Sequence, residues 1–205
     1  MKDEENILQP SEDKSQINME VEFVDPNPIH KTSLEYFLVN YLNKMQYPHE
    51  NLAQIITNQI SIGTMVVQSG ETDVFAFATI LNIAKLRDQP SIKSVFKFIN
   101  ETSSKYMAKE DKDKLLSYLE SKKVGLLINE RVINFPSAGI PTLHEMVKKD
   151  FEWTMTRPDV IDKESYNFEY LLYITTLSRT IGDISKKKQS DYDSLIEEDA
   201  VLTKV

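Results

Sequence analysis

Two runs rich in β-branched and apolar residues, Ile60 to Val67 and Val74 to Ile83, lie on either side of a turn marked by Gly70. Both are nearly continuously apolar, where a half-solvated strand would alternate. The pattern predicts a hairpin in the middle of a sheet. A sheet buried on both sides needs helices on both faces, which narrows the fold class to α/β.

The rest of the chain supplies those helices. Leu34, Phe37, Leu38, Tyr41, Leu42 and Met45 recur at helical steps after a cap at Thr32 or Ser33, and Pro48 stops the stripe. A short helix follows with Leu52, Ile55, Ile56 and Ile60 on one face. Pro90 opens another, burying Ile92, Val95, Phe96 and Ile99. Asp111 to Leu119 forms a fourth, and the mixed charges of Lys109 to Lys114 read as its solvated face. Pro136 and Pro141 bracket the start of the last helix, which buries Ile140, Leu143, Met146, Val147 and Phe151. Further strands are predicted at Met19 to Phe23, Val124 to Ile133 and Tyr166 to Leu177. The expected architecture is a single mixed β-sheet with helices on both faces.

A length of 205 residues suits one domain with tails, and 40% apolar residues suffice for its core. Residues 1–18 are polar and acidic and read as a disordered tail, leaving 19–205 as the domain. The start MKDEEN lacks the apolar stretch of a signal peptide, and no run approaches a membrane span. A soluble, non-membrane protein is therefore expected. The net charge of −8, from 32 acidic and 24 basic residues, disfavours direct nucleic-acid binding and favours basic protein partners.

Chemistry is sparse. Without cysteine there is no disulfide, thiolate metal site or cysteine nucleophile. Gly63, Gly70, Gly125, Gly139 and Gly182 do not cluster, so no phosphate-cradling loop is expected. His30, His49 and His144 lie far apart, without metal spacing, and read as surface or core-edge residues. No serine sits in a nucleophile elbow. Glu130 and Arg131 stand out. Neighbouring strand residues face opposite sides of a sheet, so either the strand ends there or one charge points under a helix. Lys186, Lys187 and Lys188, the basic cluster, read as a solvated loop.

The run VGLLINERVINFP, Val124 to Pro136, closely resembles the signature segment of the BCCIP family. MEVEFVDP, ISIGTMVV, VFAFATILNI, YNFEYLLYITTL and IEED resemble other family segments in the same order, over about residues 19–200. The sequence stops within six residues of IEED, where the family pattern continues. The resemblance implies a fold similar to GNAT-type acetyltransferases without the cofactor loop, and a BCCIP-like domain over 19–205. It implies a non-catalytic protein. The scattered glycines and histidines lead us to expect no cofactor or metal, and a monomer is expected. Such a protein escorts a basic large-subunit ribosomal protein and acts as an adaptor in nuclear export or cell-cycle control, with cell-cycle regulators as further partners. Nucleus and cytoplasm are the expected locations. The expected partner-binding residues are Asn129, Glu130, Arg131 and Asn134, with an acidic patch at Glu197, Glu198 and Asp199. The competing readings are a degenerate GNAT-type acyltransferase and a scaffold without a charge-driven partner.

Overall fold

A computed structural model describes residues 20–59, 61–120, 123–158 and 163–175. The predicted hairpin is its centre. Strand β2 (Gly63–Gln68) and strand β3 (Val74–Asn82) pair antiparallel, and both are buried almost throughout. Gly70 sits in the turn between them at φ +79°, a backbone conformation glycine adopts without steric cost. Around this hairpin the sheet has five strands in sequence order. Strand β1 (Val21–Val24) lies antiparallel to β2, β4 (Val124–Arg131) antiparallel to β3, and β5 (Tyr170–Tyr173) parallel to β4. The fold is α/β, with a single mixed sheet flanked by helices.

The two sheet faces carry separate cores. On one, α1 (Lys31–Leu38), α2 (His49–Asn58), α3 (Pro90–Tyr106) and α4 (Lys109–Glu120) contribute Leu34, Leu38, Leu52, Ile56, Ile92, Val95 and Leu119. These pack on Met65, Phe77, Leu81, Leu126 and Ile128. On the other, α5 (Gly139–Thr156) sets Leu143 and Val147 against Val66, Ala76, Ala78, Ile80 and Leu127. The alternation along β4, with Leu126 and Ile128 one way and Leu127 the other, divides the faces.

Polar anchors set the helices. The residue before α3, Gln89, makes no side-chain capping bond. Instead Asn51 of α2 accepts from the Ser91 backbone N–H at 3.1 Å and its hydroxyl at 2.7 Å, capping α3 from a neighbouring helix. On the far face, Asp150 of α5 accepts from Gly63 N–H at 3.3 Å and Thr64 Oγ1 at 3.1 Å, and Thr154 Oγ1 donates to the Ser61 carbonyl at 2.7 Å. His30, expected at the surface or core edge, is buried, with Nδ1 2.9 Å from the Thr72 carbonyl.

Several expected boundaries move. The first helix begins at Lys31, ahead of the expected cap at Thr32 or Ser33, and strand β2 begins at Gly63, after the expected Ile60. The first helix stops at Leu38, well short of Met45: i→i−3 turns follow, with the Tyr41 N–H on the Leu38 carbonyl and the Asn43 N–H on the Asn40 carbonyl, and the positive φ of Asn43 and Lys44 (47° and 65°) keeps the helix from resuming through Met45. Tyr41 and Leu42 stay buried, so the turns carry the apolar stripe onward. The fourth strand ends at Arg131, before Val132 and Ile133. The last strand spans Tyr170–Tyr173, while Lys163–Tyr166 forms a 3-10 turn in place of the strand's expected start. The expected acidic tail, Ile60, Met19 and the Lys186 to Lys188 cluster lie outside the described residues.

Candidate partner-binding surface at the end of strand β4

Residues 129–136 run from the last pairs of β4 toward the start of α5 at Gly139. Antiparallel register places Asn129 opposite Ala78, Glu130 opposite Phe77 and Arg131 opposite Ala76. The strand's alternation then assigns them to different faces. Glu130 continues the row of Leu126 and Ile128 toward α1, while Asn129 and Arg131 continue the row of Leu127 toward α5. Glu130 and Arg131 are both half-buried. The strand therefore ends where its charges begin, with neither side chain fully under a helix.

Glu130 lies near two phenols. Burial pushes the Tyr41 hydroxyl well above the usual tyrosine range, and the Glu130 carboxylate pushes it in the same direction. Burial and then Glu130 raise Tyr47 likewise. Tyr47 donates to the Leu38 carbonyl, whereas the buried Tyr41 hydroxyl has no hydrogen-bond partner among the described residues. Both phenols stay neutral beside the carboxylate.

Asn129 is buried, at 4% exposure, and its Nδ2 donates to His144 Nε2 of α5 at 3.0 Å. It ties strand to helix instead of facing solvent. Beyond Arg131 the Val132 N–H donates to the Phe75 carbonyl, the last link to β3. A turn follows in which Phe135 N–H returns to the Val132 carbonyl. Its apex is apolar and open: Ile133 is 99% exposed, Val132 38%, and Asn134 is exposed. Phe135 folds back on the α5-side core, its ring over Gly139, where a Cβ would come within 2.9 Å of ring atoms.

Of the expected partner-binding residues, then, Asn134 is open, Glu130 and Arg131 are partly open, and Asn129 is internal. Glu197, Glu198 and Asp199 lie outside the described residues. Sequence reasoning missed Ile133 by assigning it to the strand. The row Leu127, Asn129, Arg131, Ile133 had already turned polar, a sign that the core ends before Ile133.

At the opposite end of β3 a cleft of about 450 Å3 lies between Asn58 and Gln59 after α2, Asn82 and Lys85 after β3, and Ser165 and Tyr166. Its amides hold its own walls. Gln59 donates to the Ile62 and Ile80 carbonyls at 2.8 and 2.9 Å, and Asn82 donates to the Ser165 carbonyl at 2.7 Å. Among the described residues no group of three or more His, Asp or Glu could hold a metal ion, and no helix is long and apolar enough to cross a membrane.

A model of the BCCIP family matches residues 16–201. The chain belongs to the BCCIP family. This BCCIP-family chain is 32% identical to protein bcp1 of Schizosaccharomyces pombe over 183 residues, covering 85% of this chain and 61% of that protein. It is 26% identical to the BCCIP homolog of Arabidopsis thaliana over 191 residues, covering 92% of this chain and 58% of that one. The chain thus spans about three-fifths of the length of these curated relatives. The crystal structure of BCP1 from Saccharomyces cerevisiae shares its fold, with a TM-score of 0.52 at 18% identity over 72% of this chain and 64% of that one.

Proposed function

We propose that this BCCIP-family chain is a non-catalytic binding protein that escorts a basic large-subunit ribosomal protein through nucleus and cytoplasm. An adaptor role in nuclear export or cell-cycle control, with cell-cycle regulators as further partners, belongs to the same reading. The chain acts as a monomer, without cofactor, membrane or direct nucleic-acid contact.

The observation that carries this reading is the junction between β4 and α5. In a GNAT-type enzyme the cofactor's pyrophosphate needs free backbone N–H groups on a glycine-containing loop between strand and helix. Here the Gly139 N–H bonds the Pro136 carbonyl, the Ile140 N–H bonds the Ser137 carbonyl, and Pro141 has no N–H. The Phe135 ring occupies the space over Gly139. Gly125 lies within the strand, where a Cβ would come within 2.6 Å of Ile80 Cγ2 and 3.0 Å of Leu171 Cδ2. It is a packing glycine. A strand–helix junction without an anion cradle favours binding over acyl transfer.

The net charge of −8 supplies attraction to a basic partner, and the open Val132–Ile133–Asn134 apex supplies apolar contact beside polar groups. Calorimetry with acetyl-CoA at micromolar protein tests the first half, with no heat expected. Affinity purification at low salt tests the second, with one large-subunit ribosomal protein enriched in stoichiometric amount. Low-micromolar acetyl-CoA binding would overturn the non-catalytic reading, and no ribosomal protein enrichment would overturn the escort.

A further inference from the structure

We infer that the outer edge of β1 docks an extended, Lys- or Arg-bearing segment of a protein partner by strand addition. The inference deepens the proposed binding of a basic protein and rests on it.

Strand β1 begins the strand order, and among the described residues no strand pairs with its outer edge. The Glu20 carbonyl accepts from the Ser69 N–H at 3.0 Å on the inner side. Backbone groups of successive strand residues point to opposite edges, so those of Val21 and Phe23 point outward. Two N–H and C=O sets, on residues the fold keeps extended, are a template for a further strand. Val21 is 42% exposed, which leaves it side-chain surface for a neighbour.

The charge around this edge selects the occupant. Antiparallel pairing with β2 brings the β2–β3 turn beside the start of β1. Residues 20–25 and 68–74 hold Glu20, Glu22, Asp25, Glu71 and Asp73, all exposed, and not one Lys or Arg. Glu22 is held in place by the Ser69 hydroxyl, which donates to its Oε1 at 2.5 Å. A second copy of β1 laid on this edge would set these carboxylates against each other, which disfavours self-pairing. A segment with basic side chains meets them with opposite charge, and nucleic acid is repelled. Pro26 and Pro28 follow immediately, so the edge is short. Backbone pairing alone would be weak there, and charge provides the selectivity.

The probe is a short synthetic peptide of alternating Lys and Thr, titrated into the full chain at low salt with amide exchange followed by NMR. Binding should slow exchange at Val21 and Phe23. Glu71→Lys combined with Asp73→Lys, both on an exposed turn, should weaken binding about tenfold or more. Val21→Pro removes an outward N–H that the sheet does not use, so it should fold, as its melting curve will show, and weaken binding about tenfold or more. The same peptide with alternate amides N-methylated should fail to bind. If the N-methylated peptide binds as well, or protection appears elsewhere and Val21→Pro is silent, strand addition at β1 is wrong while the basic-partner reading stands. If neither the Lys-Thr peptide nor any basic ribosomal protein binds, both fall together.

Discussion

Asn129 of β4 and His144 of α5 are joined side chain to side chain, Nδ2 to Nε2, at 3.0 Å. The bond pins the helix to the strand whose end forms the candidate binding surface. It also leaves Asn129 Oδ1 buried without a partner among the described residues. An amide with one satisfied and one orphaned atom contributes little net stability. Asn129→Ala should cost about 1–2 kcal/mol through the lost bond and the space left behind. Asn129→Leu, branched at Cγ like asparagine and with no polar atom to leave unpaired, should come closer to the parent. Urea midpoints of the two variants check this, and an equal large loss for both would show that Asn129 satisfies more than His144.

Tyr41 and Tyr47 make a matched pair. The Tyr41 hydroxyl is buried without a partner among the described residues, so Tyr41→Phe should stabilise the fold by up to about 1 kcal/mol. Tyr47 donates to the Leu38 carbonyl, so Tyr47→Phe should cost about 1 kcal/mol. Opposite shifts in melting temperature are the expected result. A marked loss in Tyr41→Phe would place an ordered water on its hydroxyl.

Asp150 links stability to pH. Burial raises its carboxyl above the usual aspartate range, against the bonds from Gly63 and Thr64, which lower it, and Asp25 raises it further. A raised folded-state value means the protonated form is favoured by folding. The stability it contributes is present below the unfolded-state value and is lost as pH rises through the folded-state one. Asp150→Asn retains an acceptor for both donors and never ionises. It should therefore be at least as stable as the parent at pH 7, with the difference shrinking as the pH falls and the parent protonates. An Asn variant clearly weaker at pH 7 would show that the Gly63 and Thr64 bonds require the charge.

Gly125 separates packing from cofactor chemistry. Gly125→Ala puts a Cβ 2.6 Å from Ile80 Cγ2 and should cost about 1–3 kcal/mol by overpacking. Ile80→Ala, which removes the opposing methyl, should recover part of that cost in the double variant. Additive losses would mean that the glycine is needed for another reason.

The hairpin was legible because local composition encodes it: β-branched runs on either side of a glycine turn leave few alternatives. Helix α3 was legible from Pro90 and the Ile92, Val95, Ile99 stripe. The end of α1 was not, because an apolar stripe records which side chains are buried and not whether Asn43 and Lys44 turn left-handed. The candidate surface divides in the same way. Glu130 and Arg131 marked the strand's end because two adjacent charges cannot both be kept from a covered face. The internal position of Asn129 depends on His144, fifteen residues away on α5, and the cap on Ser91 depends on Asn51, forty residues away. Contacts of that kind belong to the tertiary packing and leave no periodic trace.

The central claim is that this chain holds a basic protein by charge and shape together. The direct measurement is the association rate of the full chain with a purified basic large-subunit ribosomal protein, the proposed partner, followed across rising salt with bulk RNA as competitor. The account predicts a one-to-one complex whose association slows steeply as salt screens the charges, that resists the RNA, and that weakens when Ile133→Asp is introduced at the β4–α5 apex. An association rate indifferent to salt, or a complex that RNA dissolves at equal concentration, would contradict it.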